Sequence, residues 1–185
     1  MDQNDAFSWA LELQISEWIN SDSFISSDGL RGRVVVMEAF QMLCPCCAAH
    51  GLPQVQRIFE MLSPEGVAVL GLHTVFEHQA TMTPVSLKAF AFEYKLRVPI
   101  GIDEPGLGHL PKTRQSYGLF GTSSLVATDA MWRLRGNYFR SASDLQIGYQ
   151  IANFLSDRHG RIVDLETDKN MNVSTEFDEQ GSPVV

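Results

Sequence analysis

Residues 33–47 read RVVVMEAFQMLCPCC, and this stretch decides the fold. Its first part, Arg33 to Phe40, is nearly continuous in apolar side chains, which predicts a strand buried on both faces. The chain then reaches Cys44-Pro45-Cys46-Cys47, which holds every cysteine of the protein. Beyond it, apolar residues recur at helical spacing from Leu52 to Leu62, which predicts a helix. The cysteines therefore lie at a strand-to-helix junction.

The start of a helix favours an anionic sulfur. Unpaired backbone N–H groups and the positive end of the helix dipole stabilise a thiolate there over a thiol. In sites of this kind the pKa of cysteine falls from about 8.5 into a range of roughly 3.5 to 7.5. Because the thiolate is the nucleophile, we expect reactive sulfur chemistry at residues 44–47.

Composition excludes several classes of protein. The chain has 185 residues, and 44% of them are hydrophobic, which suits one folded domain and excludes a disordered chain. The net charge of −8 argues against a nucleic-acid partner, because such proteins carry a basic surface. We also expect no membrane partner, since no apolar run approaches the length of about 18 residues that a spanning helix needs.

The first residues bear on the location of the protein. Met1 to Asp5 are polar and acidic, and they lack the basic and apolar regions of a secretory signal. The sequence therefore predicts a cytoplasmic protein. In the cytoplasm a permanent structural disulfide is unusual, so clustered cysteines there are redox-active or bind a metal.

Strands alternate with helices along the chain and end in a hairpin. This order predicts an α/β fold with a central mixed sheet flanked by helices. We assign residues 1–159 to one domain and residues 160–185 to an acidic tail that we expect to be mobile. The other predicted elements are a first half-buried strand or short helix within Leu11–Ile19, strands over Val67–Thr74, Val98–Ile102, Ser124–Thr128 and Arg133–Phe139, and helices beginning at Thr83 and Ser143.

Six local features of the chain carry a resemblance. They are Leu30-Arg31-Gly32-Arg33 before the valine strand, Phe40 four residues before the first cysteine, Cys44-x-x-Cys47, Pro53 in the next helix, Tyr117-Gly118, and Gly121-Thr122-Ser123-Ser124-Leu125 before the hairpin. Together they resemble the thioredoxin-like superfamily, and within it the TlpA-type and other redoxin-domain thiol-disulfide oxidoreductases. The resemblance covers roughly residues 11–156 and implies a thioredoxin-like fold with an N-terminal strand extension.

The resemblance also implies roles for the cysteines. Cys44 would be the exposed nucleophile and Cys47 the buried resolving thiol, with Pro45 stiffening the turn between them. The partners would be a protein or small-molecule disulfide and a thiol reductant, with no cofactor. Cys46 is unusual for the family, and three roles stay open for it: an exposed spectator, a site of glutathionylation, or a ligand for a soft metal.

Glu38 lies six residues before Cys44, where thioredoxins carry a buried Asp and related proteins a Glu or Asn. In an apolar strand, desolvation raises the pKa of a carboxyl group, so Glu38 would accept the proton of the resolving thiol near neutral pH. Strand alternation also allows Glu38 to face solvent or an ordinary ion pair, and both readings stay open.

Ser123 is the largest departure from the family. A cis-proline usually fills this place, opposite the cysteines, so we expect Ser123 either to be trans or to be forced into cis by its surroundings. The resemblance places Thr122 and Ser123 among the substrate-binding residues. Phe40, beside the cysteines, is a further candidate for an apolar docking surface, although it could equally belong to the core.

Two other functions compete with disulfide exchange. A copper or zinc carrier would use the three cysteines with His50 as a fourth ligand. A peroxiredoxin-like peroxidase would need a Pro-x-x-x-Thr-x-x-Cys loop, but Met37 and Gln41 stand where that proline and threonine belong. His73 and His78 follow the second buried strand, where ligands bind in open sheets, and we expect both to be structural or exposed.

Overall fold

The computed structural model describes residues 9–140 and 142–170, of which residues 109 and 158–170 are described by their backbone alone. The strands are β1 (Ile15–Ile19), β2 (Val35–Phe40), β3 (Ala68–His73), β4 (Ile100–Asp103), β5 (Ser124–Thr128) and β6 (Leu134–Phe139). The α-helices are α1 (Ser27–Leu30), α2 (Leu52–Leu62), α3 (Pro84–Glu93), α4 (Lys112–Ser116) and α5 (Asp144–Asn170). A π-helical turn, Cys47–Gly51, leads directly into α2.

The six strands form one mixed sheet in the order β1-β4-β3-β2-β5-β6. At the centre of the sheet, β2 and β4 each pair with β3 in parallel, and β5 pairs with β2 in the antiparallel direction. The closing hairpin adds β6 at one edge, and β1 pairs antiparallel with β4 at the other edge. These pairings confirm the predicted mixed sheet and the N-terminal strand extension.

Strand β2 lies at the centre of the protein, and all six of its residues are buried. Val36 and Phe40 pack into the core on the side that also contains Leu52 and Val55 of α2. Residues of the opposite parity, among them Val35 and Met37, pack into a second core on the other face. Because side chains alternate along a strand, Glu38 belongs to the face covered by α2. Neither face of β2 is open to solvent, so the solvent-facing reading of Glu38 is wrong.

Helices α3 and α5 begin where the sequence predicts. Thr83 caps α3 by accepting a hydrogen bond from the Ser86 N–H, and Ser143 accepts one from the Gln146 N–H at the start of α5. Helix α5 continues to Asn170, past the predicted boundary at residue 159, and the rest of the predicted acidic tail lies outside the described residues. Within the described ranges, none of the helices combines the length and apolar character needed to cross a membrane.

Candidate active site at the start of helix α2

The cysteine segment turns directly from β2 into the helix. The Cys44 N–H donates to the Gln41 carbonyl at 3.0 Å, and the Ala48 N–H donates to the Cys44 carbonyl at 3.0 Å. Pro53 has no N–H to offer the carbonyl of the preceding turn, and just before it the helix widens into the π turn Cys47–Gly51. Residues 44 and 47 are thereby one helical turn apart.

Cys44 lies half-buried at the helix start and is a free thiol. Its sulfur accepts a hydrogen bond from the backbone N–H of Cys47 at 3.4 Å and lies 3.7 Å from the carbonyl oxygen of Thr122, to which the thiol can donate. Partial burial raises the pKa of Cys44, but hydrogen bonds from Cys47, Thr122 and Cys46 together outweigh it and lower that pKa below its ordinary value. The geometry therefore favours a thiolate at Cys44.

Cys47 has the opposite environment. Its side chain is fully buried in the core between β2 and α2. Burial raises the pKa of Cys47, and the neighbouring Cys44 sulfur raises it further, so this residue is held as a neutral thiol. Two thiols one turn apart thus differ in how readily they ionise, Cys44 more readily than an ordinary cysteine and Cys47 less readily.

Cys46 is turned toward a different part of the protein. Its sulfur lies 3.6 Å from the carbonyl oxygen of Arg140, which follows β6. Among the described residues, no group of three or more His, Cys, Asp or Glu side chains is placed to hold a metal ion. His50 is exposed on the π turn. The structure thus gives no support to a ligand set made from the three cysteines and His50.

Glu38 is buried beneath the π turn, with 1% of its surface exposed. Its carboxylate accepts a hydrogen bond from the hydroxyl of Ser123. Burial raises the pKa of Glu38 to about 7, while the Ser123 hydrogen bond acts in the lowering direction. A carboxyl group with this pKa exchanges its proton near neutral pH.

The segment opposite the cysteines contains a cis peptide bond between Thr122 and Ser123. Thr122 is half-buried and faces Cys44, whereas Ser123 is buried and its hydroxyl points to Glu38. Of the two predicted substrate-binding residues on this segment, Thr122 thus lies beside Cys44, and the Ser123 side chain is directed inward.

A groove with a volume of about 400 Å³ runs beside the Cys44 sulfur. Gln41 is not among the predicted site residues, and its side chain links two sides of the groove by hydrogen bonds. The side-chain oxygen of Gln41 accepts from the backbone N–H groups of Phe76 and Glu77 at 3.1 and 3.2 Å, and its nitrogen donates to the Thr122 hydroxyl at 3.4 Å. The groove is lined by Gln41, Leu43, Cys44, Pro45, Phe76, Glu77, His78, Met82, Gly121 and Thr122.

Two other predicted residues lie apart from the groove. Phe40 is fully buried and packs against the ring of His73, with the two ring centroids 5.2 Å apart, so Phe40 is a core residue. His73 is itself buried, and burial lowers its pKa to about 4. At neutral pH His73 is therefore an uncharged part of the core.

Gly51 allows the π turn to approach Glu38 closely. A Cβ atom at residue 51 would overlap both the Glu38 carboxylate and the Ser123 hydroxyl. Cys47 begins the same π turn and is buried in the core cluster that contains Val36 and Phe40 of β2. The missing side chain therefore lets the carboxylate lie against the turn that carries the buried thiol.

Comparison with known proteins agrees with this geometry. A crystal structure of a thioredoxin-like superfamily protein is 48% identical to this chain, with a TM-score of 0.78, and the match covers 81% of this chain and 97% of that one. A thiol-disulfide isomerase from Corynebacterium glutamicum is 42% identical, with a TM-score of 0.77 and coverage of 82% and 98%. The chain belongs to the thioredoxin-like superfamily, and the predicted resemblance is confirmed.

More distant structures share the fold. A thioredoxin family thiol:disulfide interchange protein from Chlorobium tepidum TLS is 16% identical, with a TM-score of 0.61 and coverage of 84% of this chain and 99% of that one. Neither a protein-family model nor a curated protein matches the sequence. The similar structures support a thiol-disulfide oxidoreductase role in general terms.

We predict that Gly51→Ala separates Glu38 from the π turn. Because the new methyl group would overlap two buried polar groups, we expect the free energy of unfolding to fall by about 1–3 kcal/mol in chemical denaturation. Gly148→Ala is the matched control, since Gly148 is exposed on α5 and nothing lies within 4 Å of the added Cβ. That control is expected to be neutral or slightly stabilising. Equal effects of the two substitutions would show that the close approach at Gly51 is unimportant.

Proposed function

We propose that the protein is a thiol-disulfide oxidoreductase that uses Cys44 as the nucleophile and Cys47 as the resolving thiol. The observation that carries this proposal is the unequal environment of the two sulfurs. Cys44 lies at the groove and accepts the Cys47 N–H, whereas Cys47 is fully buried. The similarity to a protein described as a thiol-disulfide isomerase supports the same reaction class.

The first step is attack on a substrate disulfide. The Cys44 thiolate forms a bond with one substrate sulfur, and the other substrate sulfur leaves as a thiolate that takes a proton from solvent. The Cys47 N–H stabilises the anionic form of Cys44 before the attack. The product is a mixed disulfide between Cys44 and the substrate.

The second step releases the substrate. Cys47 gives its proton to the carboxylate of Glu38 and attacks the Cys44 sulfur. A Cys44–Cys47 disulfide forms, and the remaining substrate sulfur leaves as a thiolate. Two electrons have then passed from the protein to the substrate. A thiol reductant must return two electrons to the protein before another cycle.

The groove suits an extended peptide or a small disulfide. Pro45 and Thr122 line it on either side of Cys44, with the exposed Leu43 at its rim. We propose a cytoplasmic location, where the glutathione and thioredoxin pools would keep this site reduced. We therefore propose that it acts as a reductant of protein or small-molecule disulfides.

We predict that Cys47→Ser traps the mixed disulfide. The experiment is made in a Cys46→Ser background, so that no third thiol can replace Cys47. Treatment with glutathione disulfide should leave one glutathione bound at Cys44, as intact-mass spectrometry and peptide mapping will show. Insulin-disulfide reduction should fall at least tenfold, because the buried thiol that completes the exchange is gone.

The single variants Cys46→Ser and Cys44→Ser are the controls. Cys46→Ser should keep most of the activity, and Cys44→Ser should lose it and form no adduct at residue 44. Full insulin-reducing activity of Cys47→Ser in this background would contradict the two-cysteine mechanism.

We predict that Glu38→Gln slows the second step and removes the transition near pH 7 from its pH profile, leaving the rise at high pH that comes from ionisation of Cys47 itself. Dithiobis(nitrobenzoate) separates the steps in the Cys46→Ser background, since attack by Cys44 releases one thionitrobenzoate and attack by Cys47 releases another. The second release should rise with pH through about 7 as Glu38 ionises. In Glu38→Gln the second release should be on the order of 100-fold slower than in the Cys46→Ser parent at pH 7. A second release with unchanged rate and pH profile would exclude Glu38 as the proton acceptor.

Glu38 also affects stability, with a sign that follows from its raised pKa. The folded protein holds the proton up to about pH 7, whereas the unfolded chain loses it near 4.5. Between these values the folded state binds more protons, so its stability falls as pH rises, by on the order of 3 kcal/mol in total. Relative to wild type, Glu38→Gln should therefore gain stability from pH 4.5 to pH 8 in chemical denaturation. A constant difference would show that Glu38 is not desolvated.

A further inference from the structure

Thr122 and Ser123, the two residues joined by the cis peptide bond, face opposite sides of the site. The Thr122 carbonyl lies near the Cys44 sulfur, and Thr122 lines the substrate groove. Ser123, with 4% of its surface exposed, instead directs its hydroxyl to the Glu38 carboxylate. The side chain at this position thus contacts the proposed proton acceptor and does not line the groove.

The Ser123 hydroxyl can donate a hydrogen bond to a carboxylate, which a proline ring cannot do. An ionised carboxylate only accepts hydrogen bonds, and a buried one loses water as its donor. The Ser123 O–H donates to Glu38 in place of that water. Proline has no side-chain donor, so the usual family residue would leave the carboxylate without this hydrogen bond.

The sheet neighbours of Glu38 offer its carboxylate no side-chain hydrogen-bond donor. The strand neighbours of Glu38 are Gly71 on β3 and Leu125 on β5, and neither side chain carries a donor. A cavity of about 300 Å³ opens next to Glu38 and Ser123. Among the described residues, the other titratable or charged groups that line this cavity are His50 from the π turn, Arg57 from α2, Tyr138 from β6, Arg140 after β6, and Asp144 from α5. Cys47 begins the same π turn and is buried.

Arg57, the α2 cation that lines this cavity, already has a partner. It forms an exposed ion pair with Asp144 at 2.9 Å, and Gln54 donates to the same carboxylate at 2.7 Å. Tyr138 donates to Gln150. Among the described side chains, Ser123 is the one that donates a hydrogen bond to Glu38.

We propose that Ser123 is a positioning residue that holds the Glu38 carboxylate against the π turn, in place and in its ionised form, for the resolving step. The proposal rests on the proposed function, because it acts through Glu38. A donated hydrogen bond stabilises the carboxylate over the carboxylic acid and opposes the effect of burial on the pKa of Glu38. Ser123 thereby increases the fraction of Glu38 that can accept a proton at neutral pH.

The test compares Ser123→Ala with its parent in the Cys46→Ser background, using dithiobis(nitrobenzoate). Without the hydroxyl, the pH midpoint of the second release should move up by about one pH unit. The second release should be several-fold slower at pH 7 and should recover near pH 9. The first release, which reports attack by Cys44, should change little.

Three further variants make the result specific. Ser124→Ala removes a neighbouring buried hydroxyl that donates to the Gly121 carbonyl at 2.8 Å, and it should leave the midpoint unchanged. Ser123→Thr keeps a hydroxyl and should return the midpoint toward that of the parent. Ser123→Gly also lacks the hydroxyl, so it should show the upward shift and replaces Ser123→Ala if that variant does not fold.

The outcomes separate this proposal from the proposed function. If Glu38→Gln abolishes the transition near pH 7 but removal of the Ser123 hydroxyl leaves the midpoint in place, the role of Ser123 is overturned and the two-cysteine mechanism stands. A shift of the same size in Ser124→Ala also overturns it, because the effect would then be a general one of the loop. If Glu38→Gln leaves the profile unchanged, both the role of Glu38 and that of Ser123 are overturned.

Discussion

The chemistry depends on a single helical turn that places two identical thiols in unlike surroundings. The backbone N–H of Cys47 points back at the Cys44 sulfur, while the Cys47 side chain is packed into the core between β2 and α2. A hydrogen bond to the sulfur stabilises the thiolate of Cys44 over its thiol, and burial keeps the Cys47 sulfur protonated. Since the thiolate is the attacking form, the proposed order of reaction, Cys44 first and Cys47 second, follows from this difference.

The second requirement is a group that takes the proton of the buried thiol. Glu38 lies on the parity of β2 that faces α2, and Gly51 lets the helix backbone come close enough to cover it. Burial alone would make the carboxyl group a weak acid that stays protonated, and the Ser123 hydroxyl acts against that tendency. Sheet alternation, a glycine and a serine hydroxyl therefore combine to give a buried carboxyl group that ionises near neutral pH, as the proposed role of Glu38 requires.

Much of the fold could be predicted because its signals are local. The apolar run before Cys44 identifies the central strand, and Thr83 and Ser143 mark helix starts that the structure confirms. The site was harder to predict, because the bridge from Gln41 to Phe76, Glu77 and Thr122 joins residues up to 81 positions apart. Gly51 gave no sequence signal either, since its effect depends on which side chains lie opposite it. Phe40 has the character of both a core and a surface residue, and only the packing shows that it is core.

The most direct test of the central claim is a pH titration of thiolate absorbance in the ultraviolet, made on reduced Cys46→Ser protein with Cys44→Ser and Cys47→Ser for assignment. The account predicts two separate transitions. Cys44 should ionise below the ordinary cysteine value of about 8.5, and Cys47 well above it. Two thiols that ionise together near 8.5, or a Cys47 that ionises before Cys44, would contradict the account.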